Sequence, residues 1–266
     1  MLHLIKKINW FLCAQLGIDL RLLFRSIRGI PRYIVDFRIF RTQYKGKIKI
    51  LPCLADYDQE GGSTKSEYFW QDLFVAQNIF HAKPVKHVDI GSRIDSFVAH
   101  VASFREIEVF DIRAVTSKIP GVFFRQADFM KIGSVESQYC ESLSCLHALE
   151  HFGLGRYGDP LNPEGYKLGL KNMARILKDD GVLYLSVPIG VERVEFNAHR
   201  VFNPTLLRKE ASMLQLELSE FAWVDQVNVL HQSSNFQKDM FYLSEQDYNL
   251  GIFTFKKMAQ SDAKLV

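Results

Sequence analysis

Short apolar runs alternate with segments of helical period through the middle of this chain, and that alternation restricts its fold more than any other feature. The runs are continuous in apolar character, which is typical of strands covered by helices on both faces. Strands and helices that alternate in this way form a mostly parallel, doubly wound sheet. The strand candidates are residues 87–91, 107–111, 122–128, 141–146 and 182–188, and the helical patterns between them include residues 95–104 and 164–178.

The sequence on either side of this block extends the sheet. Residues 66–82 have helical period, with Ser66 as the expected N-cap, and residues 46–65 resemble a strand followed by a polar loop. Two further strands are predicted at residues 214–226 and 249–257. The stretch that joins them has no clear helical pattern, so we expect them to form an antiparallel pair at the sheet edge.

The distribution of charge separates the N-terminal part from the rest of the chain. Residues 1–50 contain eleven Lys and Arg side chains and two Asp, a net charge of +9, whereas the remainder contains 22 basic and 28 acidic side chains, a net charge of −6. A content of 47% hydrophobic and 24% charged residues excludes collagen-like and wholly disordered classes. We therefore predict a basic amphipathic extension over residues 1–45 and a seven-stranded, Rossmann-like α/β domain over residues 46–266.

The four cysteines show no metal-binding spacing, because no CxxC pair occurs among Cys13, Cys53, Cys140 and Cys145. We interpret them as reduced thiols of a cytoplasmic protein and expect no metal site. Cys140 and Cys145 lie at a predicted strand, so burial is their expected role.

The basic extension has the pattern of an amphipathic helix. Apolar residues recur at helical spacing from Ile5 to Ile27, and Arg21, Arg25, Arg28 and Arg32 form a second stripe about 160° away. Gly29 and Pro31 predict that the helix ends or kinks there.

Three interpretations of this extension stay open. It docks on an anionic membrane surface, which would place the protein peripherally at the cytoplasmic face. It packs on its own domain with solvated arginines, or it binds a macromolecular partner. Nucleic acid is the least favoured partner, because no known binding motif occurs and the body is acidic. The eleven uncharged residues from Ile8 to Ile18 are too few to span a bilayer, and no signal-peptide cleavage site follows them.

Three aspartates follow the first three strands of the block. Asp89 and Gly91 lie at the end of the first strand, where a residue without a side chain lets backbone N–H groups approach a ligand. Asp111 ends the second strand, at the position where a Rossmann-type site holds ribose hydroxyls, and Asp128 ends the third strand, where it could meet an adenine amino group. The alternative is that each is an ordinary turn residue.

These pieces resemble class I S-adenosylmethionine-dependent methyltransferases. The resemblance lies in VDIGSRID at 88–95, VFDIR at 109–113, RQADF at 125–129, LSCLHALEHF at 143–152 and ARILKDDGVLYLSVP at 174–188. The phrases at residues 87–104, 144–160 and 187–202 resemble more closely the family known as domain of unknown function 268, or DUF268. Bacterial members of that family tend to occur with surface-polysaccharide genes.

The resemblance implies the strand order 3-2-1-4-5-7-6 and S-adenosylmethionine as the cofactor. The usual first motif carries two or three glycines, whereas Arg93 and Asp95 follow Gly91 here. Arg93 therefore either crowds the cofactor or points outward from the turn. The cofactor-binding residues that the resemblance implies are Asp89, Gly91, Ser92, Asp111, Asp128 and Leu146.

Methyl transfer to a sugar hydroxyl is assisted by a general base. The candidate bases are His151, His147 and His199, and a mechanism without a histidine base is an alternative. His147 and His151 also form an HxxEH pattern, but it follows a strand end and runs into a glycine-rich loop, which disfavours a zinc peptidase.

The glycine-rich loop at residues 153–165 could cover an acceptor, with Arg156 and Tyr157 as contacts, or could be a surface connection. Arg200 is expected either to bind an anionic acceptor or to pair with Glu192 or Glu195.

The sequence thus predicts a methyltransferase that acts on a sugar or glycan precursor in surface-polysaccharide biosynthesis. The alternative is a non-catalytic methyltransferase-fold module of a glycan-assembly system. A nicotinamide-dependent oxidoreductase is disfavoured because no GxGxxG motif occurs. A glycosyltransferase is disfavoured because the DxD triplet at residues 56–58 lies upstream of the whole alternating block.

Overall fold

The computed structural model describes residues 9, 11–59, 62–131, 133 and 135–259, and it divides the chain into two units. These are Met1–Ser63 and Thr64–Val266. Within the described part of the chain, no helix combines the length and the apolar content needed to cross a bilayer.

A long helix, α1, is the main element of the first unit and spans Leu20–Gln43. Asp19 caps it, since its side chain accepts hydrogen bonds from the backbone N–H groups of Arg21 and Leu22. A preceding π-helical turn, Leu12–Leu16, ends at Gly17 in the left-handed conformation with φ of 69°. The break in the helical path therefore lies at Gly17–Asp19.

Of the two predictions at Gly29 and Pro31, an end of the helix is wrong, because α1 continues through both residues, and a kink stays a prediction. The glycine serves a close approach instead, as a Cβ at Gly29 would lie 2.0 Å from the carbonyl oxygen of Leu54. The strand-like run predicted within residues 46–65 is also not a strand; that segment is irregular up to a 3₁₀ turn at Asp56–Asp58.

The second unit contains ten strands and five helices among its described residues. The helices are α2 (Glu67–Ala82), α3 (a π-helical turn Ile94–Val98 continued by Ala99–Ala102), α4 (Gly165–Ile176), α5 (Pro204–Ser212) and α6 (Phe236–Ser244), with a 3₁₀ turn at Leu149–His151. The strands are β1 (His87–Ile90), β2 (Ile107–Asp111), β3 (Val122–Gln126), β4 (Cys140–Leu146), β5 (Leu177–Ile189), β6 (Arg193–Glu195), β7 (His199–Val201), β8 (Leu216–Val224), β9 (Leu230–Gln232) and β10 (Asn249–Lys257).

Eight of these strands form one sheet in the order β3-β2-β1-β4-β5-β10-β8-β9. The first five positions pair in parallel, and β10 pairs antiparallel with both β5 and β8. The doubly wound fold and the predicted order are confirmed, with β10 and β8 in the last two predicted positions. The sheet has eight strands instead of the predicted seven, because β9 adds an antiparallel strand beyond β8.

Helices cover both faces of this sheet, as the apolar strand runs predict. On one face, Leu143 and Leu185 pack in a buried cluster with Met173 of α4. On the other face, Val109 and Ile252 pack with Ile79 of α2. The carboxyl ends of β1, β2 and β4 therefore meet at one edge of the sheet, in the part that helices cover on both faces.

The stretch between β8 and β10 differs from the prediction, because it contains α6 as well as β9. The helix is short, and Asn235 caps it by accepting a hydrogen bond from the backbone N–H of Lys238. Only three of its side chains pack on the core, the buried Met240 and Leu243 and the partly buried Phe236, so the apolar pattern is short.

Candidate functional site

Asp89, at the end of β1, is completely buried beneath the carboxyl edge of the sheet. Its carboxylate accepts hydrogen bonds from the hydroxyls of Ser144 and Ser92, at 2.5 and 2.6 Å, and from the backbone N–H of Ser92 at 3.0 Å. Burial raises the pKa of Asp89 to about 7, although these hydrogen bonds oppose the rise. In this structure Asp89 ties the turn after β1 to β4.

A buried histidine continues this network on β1. Burial lowers the pKa of His87 to about 3, so the ring is neutral. Its two nitrogens lie 2.8 Å from the hydroxyl of Ser142 and 3.1 Å from that of Ser144. Because Ser144 donates its hydrogen to Asp89, His87 must donate from Nε2 to Ser144 and accept from Ser142 at Nδ1.

The turn after β1 requires glycine at its first position. Gly91 has a φ of 71°, and a Cβ there would lie 2.9 Å from the Cβ of Ala148. Its backbone N–H donates to the carbonyl of Phe110 at 2.8 Å, which places the turn beside the end of β2. The Ser92 hydroxyl accepts a hydrogen bond from the backbone N–H of Leu146, whose side chain is buried in the core.

Arg93 lies on the exposed side of this turn. Its guanidinium forms two hydrogen bonds with Asp95, at 3.1 and 2.8 Å, and lies 5.6 Å from the ring centroid of Tyr68. The side chains of the pair are 57% and 72% exposed. Of the two expectations for Arg93, the structure favours the outward orientation.

Asp111 ends β2 and is 8% exposed. Both of its carboxylate oxygens are engaged by Arg113, whose Nε and Nη2 atoms lie 3.0 and 2.6 Å away. Arg113 also donates its backbone N–H to the same carboxylate at 2.8 Å. A ligand that uses Asp111 must therefore share this carboxylate with Arg113 or displace its side chain.

Asp128 comes two residues after β3 ends and shapes the turn there. Its carboxylate accepts from the backbone N–H of Met130 at 2.9 Å, and its carbonyl accepts from that of Lys131 at 3.0 Å. These contacts are those of an ordinary turn aspartate. A contact between Asp128 and an adenine amino group stays a prediction.

The loop after β4 brings Tyr157 to this edge of the sheet. The guanidinium of Arg113 lies 4.5 Å from its ring centroid and that of Arg156 lies 5.2 Å away, within the range of cation–π contacts. The ring also meets His151 edge-on, with centroids 5.4 Å apart. Tyr157 thus connects the end of β2 with the candidate bases.

Two buried or half-buried groups hold this loop in place. Asp159 accepts from the backbone N–H groups of Gly153, Gly155 and Tyr157, at 2.8, 3.1 and 3.2 Å. The buried guanidinium of Arg200 donates to carbonyls at both ends of the loop region.

Arg200 therefore has neither of the predicted roles. Its hydrogen bonds go to the carbonyl oxygens of Glu150, Phe152 and Pro163, at 3.3, 2.6 and 3.1 Å. A buried guanidinium is well suited to this task, since it offers five donors in a fixed plane. Arg200 stabilises the segment that contains Tyr157.

His147 follows β4 and lies between two carboxylates. Its Nδ1 is 2.7 Å from Glu150, and its Nε2 is 3.2 Å from Glu67 in an ion-pair contact outside good hydrogen-bond geometry. Burial favours the neutral ring, but these two carboxylates outweigh it and raise the pKa of His147 to about 10. His147 is thus an imidazolium at neutral pH and cannot accept a proton.

His151 has the opposite electrostatic setting. Burial lowers its pKa, although the nearby Glu150 carboxylate opposes this. Its Nδ1 lies 2.7 Å from the carbonyl oxygen of Ala198, so Nδ1 carries the hydrogen and Nε2 keeps a lone pair. A neutral ring with a fixed tautomer is the arrangement expected of a general base.

His199 is the third candidate and lies at the start of β7. Burial lowers its pKa. Its Nε2 lies 3.6 Å from a carboxylate oxygen of Glu195, and it makes no hydrogen bond within the described part of the chain. Its ring centroid is 6.2 Å from that of Tyr248.

Three side chains of this cluster were missed in the sequence. Tyr248, just before β10, donates its hydroxyl to Glu67 at 2.9 Å, and the ring of Tyr68 lies 4.5 Å from that of His147. Glu67 and Tyr68 begin α2, so the tertiary fold alone brings these groups together. No local motif could have identified them.

Comparison with known proteins agrees with the family that the sequence phrases indicate. Residues 123–246 match the family profile described as "Caenorhabditis protein of unknown function, DUF268". A search of curated proteins found no match.

Solved structures share the fold at low sequence identity. A Burkholderia thailandensis 1,6-didemethyltoxoflavin-N1-methyltransferase, solved with S-adenosylhomocysteine, is 11% identical over 73% of this chain and 80% of its own, with a TM-score of 0.50. The [4+2]-cyclase SpnF is 13% identical over 75% and 86%, with a TM-score of 0.54. A putative sarcosine dimethylglycine methyltransferase from Galdieria sulphuraria is 13% identical over 71% and 86%, with a TM-score of 0.50. These likenesses establish the fold alone.

Proposed function

We propose that this chain, whose residues 123–246 match the DUF268 profile and which has the class I methyltransferase fold, is an S-adenosylmethionine-dependent methyltransferase. We propose further that its acceptor is a hydroxyl group of a sugar or glycan precursor in surface-polysaccharide biosynthesis. The proposed acceptor rests on two observations. Bacterial members of the family tend to occur with surface-polysaccharide genes, and aromatic side chains lie at the site.

The proximity of Gly91 and Asp111 is the observation that best supports the proposal. The left-handed turn at Gly91 is hydrogen-bonded to the last residues of β2, and the Asp111 carboxylate ends that strand. In a doubly wound sheet, nucleosides bind at the carboxyl ends of the strands, with a carboxylate on the ribose. Gly91 and Asp111 fit the nucleoside of the cofactor, and Ser92, Asp128, Leu146 and the buried Asp89 support the surrounding turns. When bound, the cofactor supplies an electrophilic methyl group.

His151 is the base that we propose. In an in-line transfer, the acceptor oxygen forms its bond to the methyl carbon as the carbon–sulfur bond breaks, and the electron pair of that bond leaves with the sulfur. The hydroxyl proton passes to Nε2 of His151, which the Ala198 carbonyl holds in the accepting tautomer. His147 is then a positioning group, because it is already protonated, and His199, whose pKa burial also lowers, is the alternative base.

The side chains around His151 suit a sugar acceptor. The ring of Tyr157 meets that of His151, the ring of Tyr68 lies against the neighbouring His147, and Arg156 has its guanidinium beside Tyr157 and the Ala198 carbonyl. Aromatic rings offer apolar faces on which the C–H groups of a sugar ring can pack, while a guanidinium binds hydroxyl or phosphate oxygens.

A non-catalytic binding module is the second candidate, and one observation favours it. Arg113 occupies both oxygens of the Asp111 carboxylate, as an internal partner would in a fold that no longer binds a nucleoside. Calorimetry with S-adenosylhomocysteine separates the two candidates.

Asp111→Asn is expected to weaken binding of S-adenosylhomocysteine about 10- to 100-fold, since a hydrogen bond to a charged group contributes roughly 1.5–3 kcal/mol. The matched control is Asp95→Asn, another aspartate paired with an arginine two residues away, but at an exposed site. Titration calorimetry should give wild-type affinity for the control. If the wild-type chain gives no heat with this ligand, the methyltransferase proposal fails; equal losses in both variants would remove Asp111 from the site.

A further inference from the structure

Helix α1 exposes large apolar side chains that a helix in a folded unit normally buries. Ten of them lie on its surface at exposures between 41% and 61%. They are Leu20, Leu22, Leu23, Phe24, Ile27, Ile30, Ile34, Val35, Ile39 and Phe40. An exposed apolar surface of this size marks an interaction site.

The charged and apolar side chains of α1 are separated around its axis. At 100° per residue, the four arginines between residues 20 and 37 fall within an arc of about 60°. Over these same residues, an arc of about 220° on the other side carries apolar side chains, with the hydroxyls of Ser26 and Tyr33 as its polar groups. We call this the apolar arc of α1.

Contacts within the first unit go to the arginine side of the helix. The backbone of Leu54 lies against Gly29, and the guanidinium of Arg32 lies 4.4 Å from the ring centroid of Tyr57. Gly29 and Arg32 are both outside the apolar arc. Ser26, Tyr33 and Phe37, toward one edge of the apolar arc, are half-buried, and the rest of the arc is exposed.

We propose that α1 lies in the interface of an anionic lipid bilayer, with its apolar arc among the acyl chains. The helix carries six arginines and one acidic residue, Asp36, a net charge of +5 that complements anionic headgroups. The same charge repels a second copy of this helix. Arg38 and Arg41 lie in the last turns, where long side chains can extend from the apolar arc to the headgroups.

This geometry is that of a helix lying in the plane of the membrane surface. It is independent of the proposed chemistry, because it needs no residue of the second unit.

Co-sedimentation of the full chain with vesicles tests this proposal. Phosphatidylcholine vesicles that contain about one third phosphatidylglycerol should bind the chain, and pure phosphatidylcholine should bind it more weakly by about fivefold for each arginine near the surface. Ile27→Glu with Ile34→Glu should weaken binding about 100-fold or more, because two buried side chains leave the apolar phase. Arg25→Gln with Arg28→Gln should weaken only the binding to anionic vesicles, about 30-fold.

The matched control is Val85→Glu with Val227→Glu, two apolar residues of the second unit that are 88% and 75% exposed. This variant should bind as the wild type does. The proposal is overturned if the wild-type chain does not sediment with anionic vesicles, or if the control loses as much as the α1 variants. It is equally overturned if light scattering shows a dimer without lipid that Ile27→Glu with Ile34→Glu dissociates, since a second copy would then cover the apolar arc.

Discussion

His151→Gln is expected to lower the rate of methyl transfer by about 10²- to 10⁴-fold, the usual contribution of a positioned general base. Glutamine keeps a donor for the Ala198 carbonyl, but it provides no atom that accepts a proton at neutral pH. The affinity for S-adenosylhomocysteine should stay unchanged, because His151 acts on the acceptor. The measurement is transfer of a labelled methyl group to the sugar nucleotides and glycan lipids of the source organism.

His100→Gln is the matched control for this variant. The His100 ring also lies 2.7 Å from a backbone carbonyl, that of Ser96, through Nδ1, but it is exposed and belongs to α3. Its substitution should leave the rate unchanged. A His151→Gln chain that transfers methyl groups at the wild-type rate would remove His151 from the chemistry.

The pH dependence gives a second test of the same assignment. As the pH falls through the pKa of His151, the ring gains a proton at Nε2 and can no longer accept one from the acceptor. Because burial places the pKa of His151 below its ordinary value of about 6.5, the rate should fall to half only at a pH below 6.5. A midpoint near pH 10 would point to His147 instead.

Arg200→Met is expected to lower the free energy of unfolding by about 2–6 kcal/mol. Its three carbonyl partners lose their donor, and two of them, in the buried Glu150 and the half-buried Phe152, lose it away from water at about 1–3 kcal/mol each. The carbonyls belong to Glu150, Phe152 and Pro163, which flank the loop with Tyr157. Urea unfolding followed by circular dichroism measures the loss. Methionine keeps most of the side-chain volume, so the change tests the hydrogen bonds.

Arg105→Met provides the comparison for Arg200. Arg105 also donates to three backbone carbonyls, those of Pro84, Val85 and Glu106, but from a partly exposed position. Its substitution should cost about 1 kcal/mol or less, since water replaces the lost donors. Equal losses of unfolding free energy in the two variants would show that Arg200 stabilises the loop no more than an exposed arginine does.

The sequence predicted best the elements that are buried on both faces. The observed bounds of β2 and β10 are those predicted, because their continuous apolar runs reflect complete burial. The bounds of other elements depend on local caps and tertiary contacts. Asp19 starts α1 where the apolar period continues unbroken, and Leu54 covers Gly29, so neither the start nor the continuation of α1 could be read from periodicity.

The candidate site shows the same division. Gly91 and Asp111 follow strands, so the sequence placed them at one edge, and the structure brings them together. The charge of His147 depends first on Glu150, three residues along the chain, and then on Glu67, which a separate helix supplies and which spacing does not reveal. The pairing of Asp111 with Arg113 and the burial of Asp89 likewise depend on side-chain geometry that spacing does not reveal.

A crystal structure of the chain grown with S-adenosylhomocysteine tests the central claim most directly. We expect density for the nucleoside between Gly91 and Asp111, with the ribose hydroxyls on the Asp111 carboxylate and the Arg113 side chain moved away from at least one of its oxygens. Density for the ligand at any other place, or an unchanged Arg113–Asp111 pair with no nucleoside beside it at saturating ligand, would contradict the proposed methyltransferase site.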